Sequence, residues 1–245
     1  MNPYDGIPNT RPSAADSAEK LYSSISKAFP GVVTDFEAKW KAWQTTWFPT
    51  NSPSFSASDC CQVPEFDNLV ALGPKIVPLV VYKLASTSEN FIAVNLYNEL
   101  EKDKDYLVDP NDVLNYNVLQ RQANLIVDIN YERNKLVQAR IEAWEAHCTQ
   151  SHVHSNSGMY TECDDYARLL ELGGSIIAHL MLAYAKDPSG FWFELLHETV
   201  HGLGKKTGLR TIDFKEQYAA WNEWFQKGEH DEAPWWSNGI RAVAE

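Results

Sequence analysis

Residues 64–101, PEFDNLVALGPKIVPLVVYKLASTSENFIAVNLYNELE, lie over residues 164–201, DDYARLLELGGSIIAHLMLAYAKDPSGFWFELLHETVH, without a gap. Leu69, Leu72, Gly73, Ile76, Ala85, Phe91 and Leu96 meet an identical residue one hundred positions on. Phe66 with Tyr166, Val77 with Ile177 and Leu100 with Val200 keep their apolar character. Self-similarity at a fixed spacing marks a duplicated structural unit. Gly73 and Gly173 stand where a short helix must turn into the next, a position that commonly needs positive φ.

The pattern extends outward. Trp43 precedes Gly73 by thirty residues and Trp144 precedes Gly173 by twenty-nine, each on a predicted helix followed by a polar, Cys-containing loop. Trp221 and Trp224 fit the start of a third, truncated copy. Periodicity predicts helices over 18–29, 34–48, 65–72, 74–84 and 89–102. Asp109-Pro110 reads as a cap opening one long helix, or two abutting ones, that reaches about His147, and further helices follow over 164–172, 175–186, 189–201 and 213–227. Strict apolar and polar alternation over strand lengths is nearly absent.

The expected fold is therefore all-α: duplicated helical-hairpin units, about 34–108 and 135–227, joined by a long central helix, with about 8–10 helices in all. Residues 1–17, rich in Pro, Asn, Ser and Asp, read as a flexible leader, and 18–245 as one domain whose last segment, 228–245, straps across the body with Trp235 and Trp236. LxxLGPxIVPLVVYKL followed by an amphipathic helix resembles the hairpin of HEAT-type repeats. It is also similar to small ascomycete fungal proteins carrying PEFDxLVxLGP and WxELLHExxHG-like segments. That resemblance spans roughly 60–227 and implies a fold, with no catalytic residue attached to it.

With 44% hydrophobic and 22% charged residues and no long apolar run, the chain reads as soluble, without membrane insertion. A formal net charge of −12 argues against nucleic acid and favours a basic protein partner, if the partner is a protein. Lys205, Lys206 and Arg210 form a basic cluster too small to reverse that. The N-terminal segment has no export signal, and Cys60, Cys61, Cys148 and Cys163 show no CxxC spacing, so free thiols in the cytoplasm are expected.

His197-Glu198-Thr199-Val200-His201 matches H-E-x-x-H, in which two imidazoles one turn apart can hold Zn²⁺ while the glutamate activates a metal-bound water. The same segment lies over Tyr97, Asn98 and Glu101, so its helix exists for packing whether or not it binds metal. No third ligand stands at a familiar spacing. His179 replaces Leu79 on the edge of the stripe Ile176, Leu180 and Tyr184, and an imidazole at such a place needs a partner. His147, His152 and His154 cluster after the long helix and read as solvated loop residues. No nucleophile elbow, phosphate loop or dinucleotide fingerprint is present.

Titratable residues thus concentrate in the second copy. The expected function is a small-molecule enzyme of the lyase, cyclase or hydrolase kind, cofactor-free or metal-assisted, with a pocket between the repeats. His179, His197, Glu198 and His201 are its acid, base or ligand candidates, with His197 and His201 as the Zn²⁺ ligands if a metal is used. Trp144, Trp192, Tyr184, Tyr97 and Asn95 are expected to line a site for a small apolar or aromatic molecule. The alternatives are a protein-binding scaffold and an HExxH zinc hydrolase.

Overall fold

A computed structural model describes residues 10–47, 59–108, 116–150, 158–209, 212–237 and 240–241. The fold is all-α. A broken helix opens the chain, α1 (Pro12–Ala28) and α2 (Pro30–Gln44), with Phe29 alone between them. The first unit continues with α3 (Pro64–Val70), α4 (Val77–Ser86) and α5 (Ala93–Leu100). The 35-residue α6 (Tyr116–Gln150) then crosses the molecule, followed by the short α7 (Gly158–Thr161). The second unit is α8 (Asp164–Leu170), α9 (Ile177–Lys186) and α10 (Trp192–His201), and α11 (Phe214–Lys227) follows it. The expected boundaries shift at the N-terminus. Helix starts at Pro12 and not after a leader ending at 17, because proline is preorganised for the first helical position. Pro30 likewise begins α2 where a stop was expected.

The duplication is visible atom by atom. In both units a short helix meets its successor through a 3₁₀ turn, and the paired axes bend by 88° in the first unit and 99° in the second. Gly73 (φ 72°, ψ −172°) and Gly173 (φ 66°, ψ −164°) make the two bends in backbone space that is essentially reserved for glycine. The Trp43 indole N–H donates to the Cys60 carbonyl at 2.7 Å, and that of Trp144 to the Tyr160 carbonyl at 2.8 Å. The same two rings pack on Phe66 at 5.4 Å and Tyr166 at 5.7 Å, partners one hundred positions apart. Each unit thus hangs a loop from an indole that is itself sealed in the core.

The units meet through equivalent parts. The turn 74–76 touches the turn 174–176, where a Cβ on Gly174 would come within 2.8 Å of Pro74. α1 packs on α4 and α6, and α11 packs on α2 and α9. Phe29 and Phe225 meet edge to face at 4.8 Å, and the Gly31 amide donates to Gln226. Trp40, Trp43 and Trp47 form one buried face with mutual edge-to-face contacts of 5.0–5.6 Å.

Two buried ionic groups pin the junctions. Glu101, at the end of α5, pairs with Arg133 of α6 at 2.6 Å and accepts from Ser175 of the second unit at 2.8 Å. Burial opposes its charge, yet Arg133, the Asp103 amide and Ser175 hold its carboxyl below the usual range. Arg133 also lies over the Tyr106 ring, 3.6 Å from its centre. Lys75, 1% exposed, donates to the carbonyls of Trp224, Phe225 and Gly228 at the C-terminus of α11 and faces the Trp224 ring at 4.7 Å. It fills the role of a cation at the negative end of a helix dipole.

After α11 the chain makes a 3₁₀ turn at His230–Glu232 and runs extended to Trp236, where residues 236–237 pair antiparallel with 240–241. Among the described residues no single helix is long and apolar enough to cross a membrane. The histidines at 152 and 154, Arg210 and the cap at 109–110 lie outside the described residues.

Candidate functional site

The H-E-x-x-H helix is α10, and its residues face different neighbours because successive positions turn by about 100°. His197 and His201 lie one turn apart with ring centres 4.6 Å from each other. The strap covers both. Trp235 sits 5.1 Å from His197 and 4.6 Å from His201, and Trp236 and Trp221 close the sides. His201 Nε2 donates to the Pro234 carbonyl at 2.9 Å, which leaves Nδ1 as its remaining metal donor. His197 is 0% exposed, and neither of its ring nitrogens has a partner in hydrogen-bond geometry. Burial and the neighbouring His201 push its imidazole down to about 4, the nearby Pro234 carbonyl opposing them.

Glu198 faces away from this pair. Its Oε1 accepts from the Tyr166 hydroxyl at 2.8 Å and its Oε2 from the Gly204 amide at 2.8 Å, so both oxygens are engaged in a buried setting. The repeat explains why. Asn98, one hundred positions earlier, accepts from the Val108 amide at 3.3 Å and donates to the Val108 carbonyl at 3.0 Å. Both residues clamp the loop that leaves their own helix. Among the described residues no three His, Cys, Asp or Glu side chains are placed to share a metal ion.

His179 stands apart from α10's imidazoles. Its Nε2 donates to Asn134 Oδ1 on α6 at 3.0 Å, which leaves Nδ1 as a buried acceptor with no partner. Burial first and then the Arg133 charge lower it to about 4. The expected convergence of His179 with His197 is therefore absent from the contacts each makes. The aromatic candidates are distributed in the same way. Trp144 and Trp192 pack edge to face at 4.7 Å inside the second unit, and Tyr184 packs against Tyr218 at 5.0 Å. Tyr97 accepts from Asn130 and donates to the Tyr106 carbonyl in the first unit.

Asn95 lines an open concavity. A cleft of about 660 Å³ runs beside α5, walled by Cys61, Phe66, Asn95, Asn98, Glu99, Leu107 and Val108. Burial, with the Glu99 charge, pushes the Cys61 thiol up to about 11, so it stays protonated at neutral pH. A smaller cleft of about 330 Å³ adjoins it across Glu99 and reaches Lys102, Glu229, His230 and Asp231. Sequence reasoning singled out neither Glu99 nor the ionic group of Glu101, Arg133 and Ser175. A pairwise comparison of the two copies marks the first of these, since Glu99 lies over Thr199. Compared with protein-family models, curated proteins and solved structures, the chain matches none.

Proposed function

We propose that the protein is a HEAT-like helical-repeat binding protein that takes a small, largely apolar molecule into the cleft beside α5, and that it is not a hydrolase. The supporting observation is the contrast between the copies. The second copy commits Glu198 to its own loop and closes His197 under the strap, whereas the first leaves a cleft of about 660 Å³ with apolar walls at Phe66, Leu107 and Val108. That volume falls in the range typical of small-molecule sites. Four thiols among the described residues suit a reducing compartment, and we assign the protein to the cytoplasm.

Nuclear magnetic resonance mapping of a fragment library tests the reading. Shifts from aromatic fragments should cluster on Asn95, Leu107 and Val108. Shifts clustered on α10 and the strap would replace this reading with a second one. In that reading His197, which has two unpartnered ring nitrogens, is an acid or base that substrate reaches when the strap moves. A turnover assay that fails in His197→Gln while its melting curve is unchanged would decide for the enzyme.

A further inference from the structure

The two copies carry the same hairpin with different residues on its last helix, among them 95 against 195 and 99 against 199. At the position of Leu195, which is wholly buried, the first unit places Asn95, whose amide nitrogen is screened from water and has no hydrogen-bond partner. A buried amide without a partner is a standing cost, and replacing it with leucine would remove that cost. The terminal torsion of asparagine is soft and this nitrogen has no bond to lose, so the amide can turn toward an occupant of the cleft that Asn95 lines. One turn on, at i+4, stands Glu99, which borders both the larger and the smaller cleft. Side chains at this spacing lie about 6 Å apart on one helix face.

The charges around this ridge are one-sided. Among the described residues Glu99 is the charged group lining the larger cleft, and the smaller one adds the carboxylates of Glu229 and Asp231 against the ammonium of Lys102. His230 adds no compensating charge at neutral pH, because burial lowers its imidazole below the ordinary value. The whole chain carries −12, so the long-range field points the same way.

We infer that the cleft beside α5 recognises a small cationic amphiphile: an apolar or aromatic body against Phe66, Leu107 and Val108, a carbonyl oxygen on the Asn95 amide, and an ammonium beside Glu99. The inference rests on the binding reading above and adds the ligand's chemical class to it. Carbonyl and ammonium in the ligand must lie only a few bonds apart, because the Cβ atoms of the two side chains are about 5–6 Å from each other. Asn98 stays outside the recognition, since it is occupied with Val108.

Three probes of one scaffold test this on the full chain: N-(2-aminoethyl)benzamide, neutral N-ethylbenzamide and anionic N-benzoylglycine, each titrated by two-dimensional amide spectroscopy. The cationic probe should bind in the cleft at least tenfold more tightly than the neutral one, and the anionic probe should bind most weakly. Glu99→Gln should erase the preference for the cation, and Asn95→Leu should weaken all three probes by about tenfold, the loss of one hydrogen bond. Asn95→Leu should also melt at or above the wild-type temperature, which shows that a folding defect is not responsible. Equal binding of the three probes within the cleft would overturn the cationic class and leave the binding reading standing. Shifts that avoid the cleft altogether would overturn both.

Discussion

Glu198→Ala separates a loop clamp from a catalytic glutamate. The substitution strips the Tyr166 hydroxyl and the Gly204 amide of their shared acceptor, and Glu198 itself is only 4% exposed. Each hydrogen bond to a charged group contributes about 1.5–3 kcal/mol, and the relieved desolvation of the carboxylate offsets part of the sum, so the net loss is about 3 kcal/mol. In a chain of this size that lowers the melting temperature by roughly 6–12 °C. Asn98→Ala is the matched control. It removes two hydrogen bonds between neutral groups and leaves the Val108 amide and carbonyl without their partner, a loss of about 2 kcal/mol, or roughly 4–8 °C. Differential scanning calorimetry on both variants measures the pair. A Glu198→Ala protein that melts within about 2 °C of wild type would refute the clamp, because a glutamate free for catalysis can be removed without touching stability.

His179→Leu installs the residue that the first copy has at position 79. The folded-state value of about 4 lies below the ordinary 6.5, so the unfolded chain binds more protons between those limits and wild-type stability falls as pH drops through that window. The fall reaches about 3 kcal/mol for this group, and urea midpoints at pH 7 and pH 4 should differ by correspondingly less in the variant. Trp43→Phe and Trp144→Phe should each cost about 1–3 kcal/mol in chemical denaturation, because each removes an indole N–H bonded to a backbone carbonyl, and Trp144→Phe should cost the less of the two since the Tyr160 carbonyl keeps the Cys163 thiol. Gly73→Ala should be worse than Gly173→Ala: both strain a positive φ, but only the first drives a Cβ to within 2.6 Å of His230, and thermal melts rank the two.

The duplication was readable because its causes act locally and twice. Positive φ selected Gly73 and Gly173, and a core-facing stripe selected the matched Leu, Ile and Phe residues. Trp43 and Trp144 could be matched by spacing, though nothing in the pattern told that each indole holds a loop carbonyl. The ionic pins escaped notice because their partners are remote in the chain: Glu101 meets Ser175 and Lys75 meets Gly228, pairings that only packing creates. The H-E-x-x-H string, in contrast, drew attention as five adjacent letters. A helix sends its first two members to different surroundings, His197 under the strap and Glu198 to Tyr166. Asn95 was legible as a candidate, and its cleft was not, since the walls come from α3, α5 and the segment at Leu107 and Val108.

Lys75 belongs to the first bend of the molecule, yet it grips the final turn of its last helix, while Phe29 and Gly31 near the start hold the same helix from the other side. In an open tandem array each copy contacts only its neighbours. Here the early chain and the last described α-helix hold each other through Phe29, Gly31 and Lys75, so a copy inserted between them would have to pry those contacts apart.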